Sequence, residues 1–398
     1  MKKSVLLIVF AFIYSKTNAQ WVQQTSGSAN FLTSVFFPTP TTGYITDGNG
    51  YILKTTNGGT NWGIVGSVSN VYSSLYFTSI DTGYATGTRG ILKTTNGGLT
   101  WIDNFADSVF GISSVHFPTA ATGYGLFVNV GMDSILIYKT IDAGNSWNKT
   151  TSFPSLGMPA SIFFTNTSTG FIVLNGEGIY KTIDGGVTWV QKLTAIDLNS
   201  IHFPSDSIGY AVGLSGIYKT IDNGDTWSIQ TNTNPTLFYS VHFTSIDTGY
   251  AVGGDGFSIG IIVKTVDGGI NWTLSLTNPY TFGCVHFPNP STGYVCGQGG
   301  TVYKLSTITG IEEKNESNNI SVFPNPNNGK FIMNAENFAN LNGVNISIYN
   351  IIGNIVFEKK LINNLENYTI DLSNEAKGVY YIKVGNKLGT TIEKMVIQ

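Results

Sequence analysis

The sequence has little charge for its length of 398 residues. Charged residues make up 11% of the chain, the formal net charge is −3, and Arg89 is the single arginine. Proteins that bind nucleic acid present a stripe of basic side chains to the phosphates, and no such stripe is present. The composition therefore argues against a nucleic-acid partner.

Long hydrophobic runs are absent after the N-terminus. Residues 1–19 combine two lysines with an apolar run over residues 5–14 and a small-residue end. This run is short for a bilayer, which takes ~20 apolar residues, and its arrangement is typical of a cleaved secretory signal peptide. We expect a mature chain that begins at Gln20, lies outside the cytoplasm and has no membrane-spanning segment.

Cysteine is scarce as well, with Cys284 and Cys296 the only two. If Phe287 pairs with Gly293 across the intervening turn, the two cysteines face each other in a β-hairpin. In an exported protein such a pair favours a disulfide that staples the hairpin. Free buried thiols remain the alternative.

The sequence is rich in one repeated phrase, which reads IYKTIDGGVTW at residues 179–189. Six copies lie 38 to 46 residues apart and end at Trp62, Trp101, Trp147, Trp189, Trp227 and Trp272. Ahead of each copy lie an alternating apolar segment such as SIHFP and a segment such as GYAVG, which predict two further strands. Each repeat should therefore form four short strands, a to d, joined by Gly, Asn and Asp turns.

The first two segments of the repeat occur seven times, beginning at Ser34, Ser74, Ser114, Ser161, Ser200, Ser240 and Cys284. The seventh copy lacks its tryptophan, whereas Trp21 opens an N-terminal segment, WVQQT, that looks like a d strand. We infer that this segment completes the last repeat and closes a ring, which removes exposed sheet edges. The predicted fold is all-β: a seven-bladed β-propeller closed by its N-terminal strand, followed by a small β-sandwich.

The repeated turn has the pattern T-x-D/N-x-G-x-x-W. Its Asp or Asn side chain should hold backbone N–H groups of its own turn, while the tryptophan covers the c–d hairpin. The residues concerned are Asn57, Asn96, Asp142, Asp184, Asp222 and Asp267, with Trp21, Trp62, Trp101, Trp147, Trp189, Trp227 and Trp272. This pattern resembles the Asp-box, or BNR repeat, of sialidase-type propellers. With its TGY and KTTNGG segments, the stretch 20–305 also resembles the photosystem II stability/assembly-factor family of seven-bladed propellers.

One position of the a strand is occupied by His116, His202, His242 and His286 in four repeats, and by Phe36, Tyr76 and Phe163 in the others. A position that exchanges histidine with phenylalanine and tyrosine is a packing position between blades. Metal ligands on different blades would have to converge within about 2.1 Å of one ion. We therefore expect no metal site, and the sequence indicates no cofactor.

The character of the sequence changes after residue 305. Residues 306–319 are polar and predict a linker, and residues 320–398 predict alternating strands of a small β-sandwich. This last segment contains, in order, Pro324, Asn325, Pro326, Gly329, Gly353 and Gly378. It is similar to the type A C-terminal sorting domain of the type IX (Por) secretion system of Gram-negative bacteria. The resemblance implies that the secretion machinery is a partner and that the protein reaches the extracellular space or the outer-membrane surface.

Function is expected where the repeats differ from one another. In a propeller the b–c turns and d–a loops share one face, here called the loop face, opposite the Asp-box turns. Its b–c turns carry Asp47, Arg89, Asp133, Glu177, Asp255 and Gln298, and its d–a loops carry aromatic residues including Tyr72, Tyr239 and Tyr280. Varied loops on a rigid scaffold are typical of binding sites. The alternative is that the acids are solvated and the rings are plugs between blades.

The first hypothesis is a secreted or cell-surface module that binds a protein or glycan through the loop face without catalysis. The alternative is a polysaccharide-degrading glycoside hydrolase with two carboxylates on that face. A structural component of the envelope is a third possibility. A sialidase is disfavoured, since by family resemblance it needs three arginines. A photosynthetic role is disfavoured by the predicted export and by the lack of a basic surface.

Overall fold

The computed structural model describes residues 19–398 except for 68–71, 88–89, 106–108, 130, 156, 196, 215, 231–236, 256–258, 308–319, 335–343, 362–367 and 386–389. The predicted signal peptide apart from Ala19, Arg89 and most of the predicted linker lie outside the described residues. The chain divides into two compact units, Met1–Thr309 and Gly310–Gln398.

The first unit contains seven four-stranded antiparallel sheets, the blades. Blade 1 contains β2 (Leu32–Phe36), β3 (Gly43–Asp47), β4 (Tyr51–Thr55) and β5 (Gly63–Ser67). Blade 2 contains β6 (Tyr72–Phe77), β7 (Gly83–Gly87), β8 (Gly90–Thr94) and β9 (Ile102–Phe105). Blade 3 contains β10 (Val109–His116), β11 (Gly123–Asn129), β12 (Ser134–Thr140) and β13 (Asn148–Pro154). Blade 4 contains β14 (Met158–Phe164), β15 (Gly170–Asn175), β16 (Gly178–Thr182) and β17 (Val190–Thr194). Blade 5 contains β18 (Leu198–His202), β19 (Gly209–Gly213), β20 (Gly216–Thr220) and β21 (Ser228–Gln230). Blade 6 contains β22 (Leu237–Phe243), β23 (Gly249–Gly254), β24 (Gly260–Thr265) and β25 (Thr273–Asn278).

Blade 7 joins the two ends of the propeller sequence. Its strands are β26 (Phe282–Asn289), β27 (Thr292–Gly297), β28 (Thr301–Thr307) and the N-terminal β1 (Ala19–Thr25). β1 pairs antiparallel with β28, with Trp21 opposite Leu305. The predicted seven-bladed ring closed by the N-terminal strand is confirmed. A single 3₁₀ turn, Gln298–Gly300, links β27 to β28.

Each seam between blades is filled by stacked rings. The aromatic residue of each b strand stacks on a phenylalanine of the next blade, with ring centroids 3.5 to 4.5 Å apart, as in Tyr44 on Phe77 and Tyr210 on Phe243. The Asp-box tryptophan then packs edge-on against the phenylalanine of its own blade, as Trp272 does on Phe243 at 5.8 Å. Large aromatic surfaces are thereby removed from water at every seam.

The glycine of the GY segment is required by this packing. A Cβ atom added at Gly43 would lie 2.3 Å from the ring of Phe37. The same conflict occurs at Gly83 with Phe77 and at Gly249 with Phe243. The repeat therefore keeps glycine at this position because the phenylalanine ring lies directly over the backbone.

The repeat lysine holds the next blade in place. Lys219 lies over the ring of Tyr210, and its Nζ donates a hydrogen bond to the Gly268 carbonyl at 2.6 Å. The Tyr210 hydroxyl donates to the same oxygen at 2.8 Å. Lys54 and Tyr44 hold Gly97 in the same way. These lysines fix blades to one another, which the sequence analysis did not foresee.

The Asp-box turns are held by their own side chains. In blade 4, Thr182 donates to Asp184 Oδ1 at 2.8 Å, and the Thr188 N–H donates to the same oxygen at 2.9 Å. The side-chain hydrogen bond from Thr188 is the main reason that the pKa of Asp184 falls to about 2. Such turns keep a charged carboxylate because every nearby donor points at it.

Two cysteines are joined within blade 7. Cys284 and Cys296 pair in the β26–β27 register and form a disulfide with a Cα–Cα distance of 5.4 Å. The bridge lies in the blade that β1 must complete.

The second unit is a sandwich of two sheets. The three-stranded sheet contains β29 (Ser321–Phe323), β30 (Lys330–Asn334) and β33 (Tyr368–Asp371); the four-stranded sheet contains β31 (Val344–Asn350), β32 (Ile355–Leu361), β34 (Gly378–Gly385) and β35 (Thr390–Ile397). Phe331 and Ile370 of one sheet share a buried core with Ile348 and Ile382 of the other. The predicted small β-sandwich is confirmed.

The residues predicted as sorting marks lie in turns and at a strand edge. Asn325 donates to the Lys394 carbonyl and accepts from the Val396 N–H, both at 2.9 Å, and so joins the motif to the last strand. Pro324 and Pro326 flank it. Gly329, Gly353 and Gly378 all have positive φ.

Removing both donors to the Gly268 carbonyl should destabilise the propeller more than the single changes add up to. Tyr210→Phe and Lys219→Met should each lower the free energy of unfolding by about 1–2 kcal/mol, because one donor remains. The double variant should lose a further 1 kcal/mol or so, since the buried oxygen then lacks both donors. Urea unfolding of the four proteins measures this coupling. Tyr280→Phe, an exposed tyrosine outside the seams, is the control, and strict additivity would contradict the shared-acceptor arrangement.

Candidate functional site on the loop face

Asp47 organises the b–c turn of blade 1. Its carboxylate is 1% exposed. Oδ1 accepts from the Asn49 and Tyr51 N–H groups at 3.0 and 2.9 Å, and Oδ2 accepts from Ser28 Oγ and Asn30 Nδ2 at 3.2 and 2.8 Å. Four donors occupy the acceptor sites of the carboxylate. Asp47 therefore joins its own turn to the loop that follows the closing strand.

Glu177 joins two loops of blade 4. Oε1 accepts from the Gly157 N–H at 3.2 Å, and Oε2 accepts from the Tyr180 hydroxyl at 2.8 Å. Burial, followed by this contact with the carboxylate, raises the pKa of Tyr180 to about 12. The Glu177 carbonyl also accepts from Gln191 Nε2 at 3.0 Å. Glu177 is half-buried and stabilises the loop face from within.

Asp133 and Asp255 lie at exposed turns. Hydrogen bonds from Ser134 Oγ and Asn129 Nδ2 hold the pKa of Asp133 below its usual value. Asp255 Oδ1 accepts from the Ile259 N–H at 2.9 Å. Each carboxylate accepts hydrogen bonds from its own turn.

The remaining candidates occupy different settings. Tyr280 is 47% exposed and lies against Gly299, where an added Cβ would be 3.4 Å from the ring. Tyr239 is half-buried, and burial raises the pKa of its hydroxyl. Gln298 has a buried Oε1 that finds no hydrogen-bond partner within the described residues. The side chain of Tyr72 and all of Arg89 lie outside the described structure.

The structure adds a groove that the sequence analysis missed. It has a volume of about 440 Å³ and lies between the loop after β1 and strands β4 and β5 of blade 1. Its lining includes Ser28, Asn30, Tyr51 and Trp62 beside the predicted Asp47. A sequence signal was available, because the c strand of blade 1 opens with Tyr51, whereas those of blades 2, 4, 5 and 6 open with glycine. Among the described residues no cluster of His, Cys, Asp and Glu forms a metal site.

The histidines form part of a closed aromatic circuit on the innermost strands. Ring centroids of successive blades are 4.3 to 5.4 Å apart through Phe36, Tyr76, His116, Phe163, His202, His242, His286 and back to Phe36. Three histidines accept a backbone N–H of the next blade at Nδ1, as His116 does from Phe164 at 3.3 Å. This bond places the proton of the neutral ring on Nε2. The four rings pack the seams.

Burial keeps these histidines neutral. It lowers the pKa of His116 to about 3 and that of His242 to about 4. The pKa values of His202 and His286 are also well below the usual value, through burial and then through their histidine neighbours. Between these values and 6.5 the unfolded chain binds more protons than the folded chain, so acid favours unfolding.

The free energy of unfolding should therefore fall as the pH decreases from 6.5 to 4.5. Each histidine contributes a slope of up to about 1.4 kcal/mol per pH unit in this range. His116→Phe places there the residue that two other blades carry, so its slope should be shallower than that of the natural chain. Urea unfolding at pH 7.5, 6.5, 5.5 and 4.5 measures both slopes. The carboxylates of Asp142, Asp184 and Asp222, with pKa values of about 2 in the folded protein, titrate below this range. Equal slopes would show that His116 gains protons when folded.

Comparisons with known proteins agree with this architecture. Residues 65–195 match the model of photosynthesis system II assembly factor YCF48, and residues 321–398 match the secretion system C-terminal sorting domain. No curated protein sequence matches the chain. Among the described residues, no helix has the length and apolar character needed to span a bilayer.

Solved structures with the same fold include YCF48 bound to D1 peptide, with 19% identity, a TM-score of 0.60, and coverage of 72% of this chain and 97% of that one. YCF48 from Cyanidioschyzon merolae has 17% identity, a TM-score of 0.57, and coverage of 72% and 99%. The GH74 xyloglucanase from Xanthomonas campestris has 14% identity, a TM-score of 0.54, and coverage of 72% and 53%. At these identities the likeness concerns the fold. The chain thus joins an Asp-box β-propeller similar to photosystem II assembly factors to a secretion system C-terminal sorting domain, which implies export through type IX secretion.

Proposed function

We propose that this protein is a non-catalytic binding module that contacts a glycan or protein ligand at the cell surface through its loop face. The observation that carries the proposal is that acidic side chains of this face stabilise its loops. Asp47, Glu177 and Asp255 accept hydrogen bonds that fix their own loops. A face of differently shaped, rigid loops on a constant frame is suited to recognition.

The same contacts argue against glycoside hydrolysis. A glycosidase needs a carboxylic acid that keeps its proton near neutral pH and a second carboxylate as base or nucleophile. Asp47 is buried and already accepts four hydrogen bonds. The pKa of Asp133 is lowered, whereas a general acid requires a raised pKa. The likeness to a xyloglucanase keeps the hydrolase as the alternative, since that fold supports such an activity in another protein.

The proposed route of export assigns separate roles to four segments of the chain. We propose residues 1–19 as signal peptide, 20–305 as the propeller, 306–319 as linker and 320–398 as the segment that the type IX secretion machinery recognises. Asn325 supports this role, because it ties the sorting motif to the C-terminal strand. The mature protein would then lie at the outer-membrane surface or in the extracellular space of a Gram-negative bacterium.

The full chain should bind at least one member of an array of polysaccharides and envelope proteins, saturably and without releasing products. Tyr280→Ala should weaken that binding about tenfold, because an exposed ring of the loop face is lost. Leu99→Ala, which removes an exposed apolar side chain from an Asp-box turn on the opposite face, is the matched control.

Release of oligosaccharides from any array member would replace this proposal with the hydrolase. Equal effects of the two substitutions would remove the loop face from consideration. Absence of binding to every sugar and protein on the array would count against a binding module.

A further inference from the structure

The seam where the ring closes lacks an aromatic contact that four other seams contain. At four seams an apolar residue of one d strand lies against a tyrosine of the next c strand. Phe105 meets Tyr138 with ring centroids 4.7 Å apart, and Phe153 meets Tyr180 at 5.8 Å. At two further seams Leu193 and Tyr218, and Leu276 and Tyr303, pack into the same hydrophobic clusters.

At the closing seam both sides of this contact are smaller or more polar. The closing strand β1 presents Gln24 toward blade 1, where its Cγ lies near Gly59, and Ser26 follows on the same side. Blade 1 presents Leu53 where four other blades have tyrosine. The groove of about 440 Å³ occupies this space. Its volume lies in the range of pockets that hold small ligands.

The walls of the groove combine aromatic and neutral polar groups. Tyr51 is 38% exposed and Trp62 is half-buried, while Leu53 at 3% forms part of the floor. Rings of this kind provide flat apolar surfaces with a polar edge.

Asn30 offers the most specific polar contact in the groove. Its Nδ2 donates to Asp47 Oδ2 at 2.8 Å, and its Oδ1 accepts from Asn49 Nδ2 at 3.1 Å. A side-chain amide has two N–H donors and two acceptor lone pairs. One donor and one acceptor therefore remain, which matches a hydroxyl group or a pair of neighbouring hydroxyls. Asp47 fixes the orientation of the amide, since a carboxylate accepts only from its nitrogen side.

The charges of the groove disfavour ionic ligands. Its lining contains no lysine, arginine or histidine, so phosphate, sulfate and carboxylate groups find no cation there. Its one charged residue, Asp47, is 1% exposed and already accepts four hydrogen bonds, so a ligand ammonium group has no open carboxylate to reach.

We propose that this groove between the closing strand and blade 1 is a binding subsite for a neutral sugar ring. The sugar stacks on Tyr51 and Trp62 and exchanges hydrogen bonds with the Asn30 amide. This inference rests on the proposed binding function and specifies its ligand class and position. It places the ligand at the one seam whose d strand comes from the N-terminus.

Leu53→Tyr is the sharpest test, because it fills the groove with a residue that four other blades accommodate at this position. The full chain should bind at least one of a panel of neutral gluco-, manno-, galacto- and xylo-oligosaccharides in isothermal titration. Leu53→Tyr should weaken this binding about tenfold or more without lowering the melting temperature. Asn30→Ala should also weaken it about tenfold, since two hydrogen bonds are lost.

Leu92→Tyr makes the same change at the next seam and is the matched control, which should leave the affinity unchanged. Three results would overturn the subsite: no binding of any neutral oligosaccharide, preference for uronic-acid or sulfated oligosaccharides, or wild-type affinity in the folded Leu53→Tyr variant. A protein partner that still binds Leu53→Tyr and is lost on Tyr280→Ala would overturn the subsite while leaving the binding module intact.

Discussion

Backbone carbonyl groups of four Asp-box turns accept hydrogen bonds from a tyrosine of the preceding blade, and the seams of the propeller depend on this contact. At Gly97 and Gly268 a tyrosine hydroxyl and a lysine ammonium of one blade donate to the same turn oxygen of the next blade. The stacked Tyr210 and Phe243 rings lie beneath. Because the turn is itself held rigid by its Asp or Asn, the donors find their acceptor in a fixed place. Lys93 and Lys181 instead contact side chains of the next Asp-box turn, Asn145 and Asp225.

The fold was predictable because its signals are local and repeated. Alternating apolar residues, turn glycines and the Asp-box recur in register, and the unpaired Trp21 indicates the strand that closes the ring. The histidine positions were also recognised as packing positions. Their tautomer was not predictable, because it depends on a backbone N–H from another blade, such as that of Phe164 on His116.

The candidate site was predictable only in part. The b–c turns were located from the repeat, so Asp47 and Glu177 were assigned to the loop face. Their roles depend on residues elsewhere in the chain, such as Asn30 for Asp47 and Gly157 for Glu177. The groove required more still, because it lies between the loop after β1, which completes blade 7, and strands β4 and β5 of blade 1. Sequence periodicity describes what the blades share, whereas this groove depends on residues that differ between blades, such as Leu53.

Because β1 pairs with β28, the propeller can close only late in its synthesis. The ribosome makes β1 first and β28 last among the propeller strands, so the ring has an open end until the whole propeller has been translated. The sorting domain follows at once. A prematurely terminated chain that lacks β28 also lacks the C-terminal sorting domain, so the order of segments in the chain alone ensures that incomplete propellers carry no signal for type IX secretion.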